Sequence, residues 1–235
     1  MRINKFLSNS GLASRRKCDQ LIEEGKVFVN GKQVTELGSQ INEKKDKVTV
    51  EGKTITLPSS FVYIKLNKPK GYACTAQDEK GRKTIYDLID SEERLFSIGR
   101  LDYDTEGLIL LTNDGDFANK VAHPKFNIDK EYRVTVEGEI KESEMAVMRK
   151  GVVVDGQRMP SSIVNFISYE NGYTKLSVII DEGQNRQIRR MFEAIGKTIK
   201  LLKRVRIGQV RLGGLRRGDY KDLTEVELNS LVGKR

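Results

Sequence analysis

The segment 97–115 joins a polar, glycine-bounded loop to an uninterrupted apolar run. The loop carries Asp102, Asp104 and Glu106, and the apolar run Leu108–Leu111 follows directly. A short apolar run beside a turn-forming loop is typical of a strand that belongs to the core. The sequence therefore predicts a sheet strand that is preceded by an acidic loop.

Strands dominate the rest of the chain after residue 61. They are predicted at Val62–Leu66, Glu131–Val136, Val152–Val154, Lys175–Ile180 and Gln209–Leu212. Helices are predicted at 84–90, 116–122, 141–149, 185–195 and 224–232. Because the strands do not alternate regularly with crossover helices, we expect an α+β fold with a mixed, largely antiparallel sheet.

The first 35 residues predict two helices and a hairpin. Ile3 and Phe6 recur at helical spacing, Ser14 is a suitable cap for a second helix, and Gly25 ends it. Two short β-type runs flank Asn30-Gly31, which favours a type I′ turn because both residues tolerate a positive φ.

The segment Leu57–Ser60 has the composition of a linker. We therefore expect a small N-terminal domain over residues 1–58 and a second domain over residues 61–235. The second domain would carry the acidic loop and most of the predicted strands.

Most of the net charge lies in one segment. The chain has a net charge of +9, and residues 183–217 contain eleven Lys or Arg beside one acid, Glu193. Such concentration indicates a surface that faces a polyanion. A solvated basic face without a partner is the alternative. A membrane surface is disfavoured, because the apolar residues here form no amphipathic stripe.

Several classes of function are excluded by composition. The chain has one histidine, His123, and no CxxC motif, so a His-rich metal site is excluded. Cys18 and Cys74 show no pairing pattern and are interpreted as reduced thiols. The apolar runs are too short for a membrane span, and the N-terminus turns polar too early for a signal peptide. We therefore expect a cytoplasmic protein whose chemistry uses Asp, Glu, Tyr, Lys and Arg.

The acidic loop admits two other interpretations. Asp102, Asp104 and Glu106 match the opening of a calcium loop, but Asn113 occupies the twelfth position, where a bidentate carboxylate is needed. Paired acids also occur in glycosidases. Short loops rich in Asp are often only turns.

Two clusters of cations point to phosphate ligands. The run Arg15–Lys17 opens the second predicted helix, where the helix dipole disfavours positive charge. Arg186, Arg189 and Arg190 share one face of the predicted helix 185–195. Like charges this close reduce stability unless anions lie opposite. Phosphates are predicted for both clusters, and a carboxylate for one of the three arginines.

Four motifs in order resemble those of the RsuA/RluB-type ribosomal RNA pseudouridine synthases. They are Lys65–Gly71, Gly99–Gly115, Lys130–Tyr132 and Asn185–Arg190. Residues 1–50 are similar to the small S-four-type RNA-binding domain of that family, with its α-L motif. The resemblance covers almost the whole chain and is closest to the large-subunit branch. It implies an S-four-type domain followed by a pseudouridine synthase catalytic domain.

The resemblance implies roles for individual residues. Asp102 stands at the essential aspartate of the family, Tyr132 at its conserved tyrosine, and Arg189 at the basic residue that pairs with the aspartate. Arg100 matches the arginine that helps to hold the gap left by a flipped base. Further substrate binding is expected from Lys68, Arg186 and Arg190, and RNA binding from Arg2, Lys5, Arg15, Arg16 and Lys17.

The implied activity is isomerisation of a specific uridine in ribosomal RNA, most closely large-subunit RNA, without cofactor or metal. The RNA would be free or part of an assembly intermediate, and the enzyme a monomer that binds no membrane. Two alternatives stay open: a non-catalytic RNA-binding assembly factor on the same scaffold, and small-subunit RNA as the target. A calcium-dependent or carboxylate-pair hydrolase is disfavoured by Asn113 and the basic surface.

Overall fold

The structure is a computed structural model that describes residues 1–76, 78–154 and 156–233. The last two residues of the expected second domain, 234 and 235, therefore lie outside the described residues, as do 77 and 155. The chain forms two compact units. The first comprises Met1–Val62, Ser91–Leu95 and Thr112–Gly115, and the second comprises Tyr63–Asp90, Phe96–Leu111 and Asp116–Arg235. Within the described ranges, no helix is long and apolar enough to cross a membrane.

The first unit packs two helices on a small antiparallel sheet. Its elements are α1 (Ile3–Asn9), α2 (Arg15–Glu23), β1 (Val27–Val29), β2 (Lys32–Val34), β3 (Val48–Val50) and β4 (Lys53–Ile55). The strand order is β2-β1-β3-β4. The core consists of Ile3, Phe6, Leu7, Cys18, Ile22, Val27, Ile41, Val48 and Val50.

Local sequence explains the ends of these elements. The Ser14 hydroxyl accepts a hydrogen bond from the Lys17 backbone N–H at 3.3 Å and caps α2. Gly25 follows α2 with φ +69°. Asn30 and Gly31 have φ values of 52° and 78°, which fit the turn of the hairpin that β1 and β2 form.

The second unit is built on a nine-stranded sheet. Its strands are β5 (Tyr63–Lys68), β6 (Phe96–Ile98), β7 (Glu106–Thr112), β8 (Lys130–Glu137), β11 (Ile163–Glu170), β12 (Tyr173–Ile180), β13 (Ile199–Ile207), β14 (Val210–Arg211) and β15 (Tyr220–Asp222). A separate pair consists of β9 (Val153–Val154) and β10 (Gln157–Arg158). The helices are α3 (Gly115–Ala122), α4 (Glu142–Lys150), α5 (Gln187–Ala194) and α6 (Glu225–Val232).

The large sheet is mixed, and the expected α+β fold is confirmed. Its strand order is β11-β12-β8-β13-β7-β5-β15, with β6 beside β7 and β14 beside β13. Strand β13 runs parallel to β7 and antiparallel to β8. Every residue of β7 is buried, as its apolar run predicts. One core cluster contains Ile98, Leu108, Leu110, Phe117, Val121, Ile207, Val210, Leu212, Leu223 and Leu231.

Two parts of the predicted secondary structure are wrong. The expected helix at 84–90 is only a short 3₁₀ segment, Ile85–Leu88. At its start, the Asp87 carboxylate accepts a hydrogen bond from the Thr84 N–H. The short strands β6, β10 and β15 were not predicted, and neither were the longer strands β11 and β13. Polar residues interrupt the apolar pattern of the two longer strands, and in β13 buried arginines occupy positions where apolar residues are expected.

The basic segment 183–217 is only partly a surface. Arg204 and Arg206 are buried in β13, at 5% and 8% exposed. Arg206 forms ion pairs with Asp129 at 2.8 Å and Glu131 at 3.0 Å. The expectation that this segment faces a polyanion is therefore wrong for these two positions, because both side chains are buried in the sheet and Arg206 is paired with carboxylates of the chain itself.

Candidate active site

The loop that carries Asp102 lies between β6 and β7. Lys68, the last residue of β5, contacts the backbone of this loop. The Lys68 ammonium donates hydrogen bonds to the backbone carbonyls of Asp102 at 3.1 Å, Thr105 at 2.8 Å and Pro69 at 3.1 Å. Backbone carbonyls that share one cation are held in a fixed arrangement. Lys68 therefore sets the position of the backbone beneath the Asp102 carboxylate.

The expectation that Lys68 contacts substrate is not supported by this placement. Its side chain is 0% exposed, and its ammonium group is engaged by carbonyl oxygens of the chain itself. Burial lowers the pKa of Lys68, an effect that the nearby thiol of Cys74 and the carboxylates of Asp104 and Asp102 oppose. The motif residue is therefore placed to organise the loop.

Two arginines approach the Asp102 carboxylate. The Nε atom of Arg189 lies 3.7 Å from Oδ2 of Asp102, and Nη1 of Arg186 lies 4.0 Å from the same oxygen. The Arg189 side chain is 10% exposed, whereas that of Arg186 is 44% exposed. An ion pair that is shielded from water is the stronger of the two, so Arg189 is the main partner of Asp102.

Arg189 is oriented by the same loop. Its Nη2 atom lies 3.0 Å from the Asp104 carboxylate and donates to Thr105 Oγ1 at 3.2 Å. Glu106, the third acid of the loop, is buried and pairs with Arg217 at 3.2 Å. Because Asp104 and Glu106 both face arginines, the geometry of the loop does not resemble a calcium site.

The three arginines of the second cationic cluster do not share a helical face. Helix α5 begins at Gln187, and Arg186 precedes it with a φ of 49°. A non-glycine residue in this left-handed region is uncommon and is found often at functional sites. Arg189 is buried within α5, and Arg190 is half-buried. The expected face is therefore wrong for Arg186, which reaches Asp102 from the turn before the helix.

Tyr132 lies in β8 and is 8% exposed. Its hydroxyl accepts a hydrogen bond from Nη1 of Arg204 at 3.4 Å. Register pairs these two residues directly across β8 and β13. The polar end of Tyr132 is therefore held by a cation from the neighbouring strand.

A cavity of about 220 Å³ brings the predicted catalytic residues together. Asp102, Tyr132 and Arg189 line it, and the exposed Arg100 lies at its margin and also lines a second, adjoining cavity. Ile180, Ile188 and Leu202 contribute apolar wall. A concave site with apolar walls and a few convergent polar groups is typical of a small-molecule or nucleobase pocket.

Five polar residues that line this cavity were not among the site residues predicted from the sequence: Thr105, Lys130, Gln184, Gln187 and Arg204. Burial, and then the positive charge of Arg204, lower the pKa of Lys130. Gln187 is buried, and its Oε1 accepts from the Gln184 N–H at 3.1 Å. No local signal distinguishes Arg204, because the segment Leu202–Ile207 contains three cations, Lys203, Arg204 and Arg206.

The expected RNA-binding residues of the first unit are mostly at its surface. Arg2 precedes α1 and is exposed, and Lys5 is half-buried within α1. The run Arg15–Lys17 is fully exposed at the start of α2. Arg15 reaches Asn4 Oδ1 at 3.4 Å, and Lys17 donates to Gln20 at 2.9 Å. The side chains of Asn4 and Gln20 are neutral amides, so these two contacts do not neutralise the positive charge at the start of α2.

Comparison with known proteins identifies the family of the chain. The RNA pseudouridylate synthase family matches residues 62–194, and the S4 domain family matches residues 1–47. The ribosomal large subunit pseudouridine synthase B of Bacillus subtilis is 42% identical over 98% of this chain and 95% of its own length. The dual-specificity RNA pseudouridine synthase RluF of Escherichia coli is 40% identical over 98% of this chain and 78% of its own length.

A solved structure gives the same result for the fold. The crystal structure of a pseudouridylate synthase superimposes with a TM-score of 0.71 at 32% identity, and covers 99% of this chain and 100% of that chain. The chain therefore belongs to the RNA pseudouridylate synthase family, in which it is an RluB/RluF-type isomerase that acts on RNA and carries an S4 domain.

Proposed function

We propose that the protein converts a specific uridine of large-subunit ribosomal RNA to pseudouridine, with Asp102 as the catalytic carboxylate. The observation that carries the proposal is the Asp102 carboxylate, 3.7 Å from the buried Nε of Arg189, in a cavity that Tyr132 also lines. Large-subunit RNA is favoured because the Bacillus subtilis relative is named for it.

The reaction explains the need for these residue types. The bond from C1′ to N1 must break, the uracil must turn, and C1′ must join C5, which loses its proton. A carboxylate can attack the sugar or the base ring, or stabilise positive charge at C1′. Asp102 must stay ionised while a base covers it, and the guanidinium of Arg189 offsets the loss of solvation.

Tyr132 lines the same cavity as Asp102 and supplies a flat ring and a hydroxyl. The ring can stack on the flipped uracil, and the hydroxyl can take part in removal of the proton from C5. A base within a stacked helix cannot turn over, so the uridine must leave the helix to enter the cavity. Arg100, Arg186 and Arg190 are proposed to bind the neighbouring RNA backbone.

The first unit is proposed to supply affinity rather than chemistry. The exposed cations Arg2, Arg15, Arg16 and Lys17 and the half-buried Lys5 would contact phosphates of ribosomal RNA, free or in an assembly intermediate. We further propose that the protein acts as a monomer in the cytoplasm, and that residues 1–58 and 61–235 are its two domains.

The experiment that tests the target is a map of pseudouridine at nucleotide resolution on ribosomal RNA. RNA from cells with the protein, without it, and with only its Asp102→Asn variant is compared. We expect one or a few large-subunit positions to lose pseudouridine in the second and third samples. Identical maps in all three samples would reject the proposed target, and a loss confined to small-subunit RNA would reassign it.

A further inference from the structure

Arg204 is a buried arginine at the centre of the large sheet. Strand β13, which carries it, lies between β8 and β7. Its register partner is Tyr132 on one side and Gly107 on the other. At Gly107 the strands approach so closely that a Cβ atom would lie 2.2 Å from the Arg204 carbonyl oxygen. Arg204 therefore lies between the strand that follows the Asp102 loop and the strand that carries Tyr132.

The guanidinium group of Arg204 contacts both neighbouring strands. Its Nε donates to the Leu108 carbonyl of β7 at 2.7 Å, and its Nη1 donates to the Tyr132 hydroxyl at 3.4 Å. The guanidinium carbon lies 6.0 Å from the centre of the Tyr132 ring. The planar guanidinium group therefore links the backbone of β7 to the hydroxyl of Tyr132.

An ion pair does not account for this buried cation. Arg206, two residues further along β13, pairs with Asp129 and Glu131. Arg204 has no carboxylate partner among the described residues, and its Nη2 has no hydrogen-bond partner there. A buried charge without an anion lowers stability. Unsatisfied buried donors are rare and call for an explanation, and a functional site is one of those explanations.

We propose that Arg204 is a positioning residue for the isomerisation, which holds the Tyr132 hydroxyl in place against the uridine. This inference rests on the proposed function, in which Tyr132 takes part in removal of the C5 proton. Arginine stays protonated and can only donate, so Arg204 always donates to the Tyr132 oxygen. The hydrogen of that hydroxyl must then point away from Arg204, and the oxygen cannot move freely within the cavity.

A double-mutant cycle tests the coupling. Arg204→Met, Arg204→Lys, Tyr132→Phe and the double variant Tyr132→Phe/Arg204→Met are compared with the wild type in the full-length protein. The readouts are RNA affinity and the single-turnover rate of pseudouridine formation on saturating RNA. A displaced reacting group costs about 100-fold in rate. We expect a loss of that order in Arg204→Met, with RNA affinity unchanged, and no further loss when it is added to Tyr132→Phe.

Arg206→Met is the matched control, since it removes a buried arginine from the same strand. We expect it to lower the thermal unfolding temperature. Its effect on the single-turnover rate should be the same in the wild type and in the Tyr132→Phe variant. If Arg204→Met does not fold, Arg204→Lys carries the test, because it keeps the charge and loses the planar group.

The outcomes separate this inference from the proposed function. Additive losses for Arg204 and Tyr132, or a full rate in both Arg204 variants of an active enzyme, would overturn the positioning role alone. A wild-type protein that forms no pseudouridine on any ribosomal RNA would overturn the proposed function. Equal losses of rate and RNA affinity in Arg204→Met would make Arg204 a structural residue and would also overturn its positioning role.

Discussion

Arg189 lies with its Nε 3.7 Å from Oδ2 of Asp102, and only 10% of its side chain is exposed. The same guanidinium contacts the Asp104 carboxylate at 3.0 Å. One buried cation therefore joins two acids of the same loop, and the less exposed of the two carboxylates faces the cavity. Of the two arginines that approach Asp102, Arg189 is the less exposed.

Arg189→Met is expected to reduce pseudouridine formation by about 100-fold, because a preorganised charge beside the reacting carboxylate is lost. RNA affinity should change little, since the side chain is buried. Arg186→Met is the matched comparison, as its exposed guanidinium lies at a similar distance from Asp102. It should weaken RNA affinity more than the single-turnover rate. The reverse ranking of the two variants would contradict the assignment of Arg189.

Lys68→Met should lower the free energy of unfolding by about 3 kcal/mol, because buried carbonyls lose a charged donor. The single-turnover rate should fall as well, since the Asp102 backbone is no longer held. Urea unfolding and the single-turnover assay measure both effects. A variant of normal stability with weakened RNA affinity would instead restore the expectation that Lys68 binds substrate.

The ion pair between Glu131 and Arg206 predicts a pH dependence of stability. Burial raises the pKa of Glu131, but Arg206 and the Ser177 hydroxyl outweigh this effect and hold the pKa below its ordinary value of 4.5. Because the pKa is depressed in the folded state, the stabilisation is present above 4.5 and is lost as the pH falls through the lower folded value.

Glu131→Gln should therefore lose less stability than the wild type between about pH 5 and about pH 3. The measurement is the free energy of unfolding in urea at several pH values. Glu170→Gln is the control, because its partner Lys175 forms an exposed ion pair. Parallel curves for the wild type and Glu131→Gln would show that the buried pair does not contribute to acid stability.

Neutralising Arg15, Arg16 and Lys17 together should weaken RNA binding and reduce its salt dependence. Loss of up to three phosphate contacts should reduce the magnitude of the negative slope of log K against log salt by up to about two units. Turnover of bound RNA should stay the same. The control replaces Lys44, Lys45 and Lys47, three exposed lysines of the same unit. Equal slopes for the wild type and the Arg15–Lys17 variant would exclude phosphate contacts there.

Much of the fold follows from local patterns in the sequence. The hairpin around Asn30-Gly31 was predicted from residues that tolerate a positive φ, and the helix that Ser14 caps was predicted from its hydroxyl. Strand β7 was predicted from its apolar run. These elements are specified by short-range chemistry, so the sequence alone suffices to identify them.

The remaining errors come from long-range contacts. Strand β13 was missed because Arg204 and Arg206 are buried, and their partners lie more than 70 residues away in the chain. Lys68 was expected at the RNA, yet its ammonium is enclosed by the carbonyls of a loop more than 30 residues later. A charged residue can be recognised as buried only when its distant partners are known.

The proposed role of the Asp102 carboxylate in the isomerisation is tested most directly by the single-turnover rate of Asp102→Asn on a ribosomal RNA substrate. We predict a loss of about 1,000-fold or more with RNA affinity largely intact, because the amide keeps the shape and loses the charge. Asp104→Asn removes the other carboxylate beside Arg189 and is expected to stay active. A near-native rate in purified Asp102→Asn would show that the Asp102 carboxylate does not perform the isomerisation.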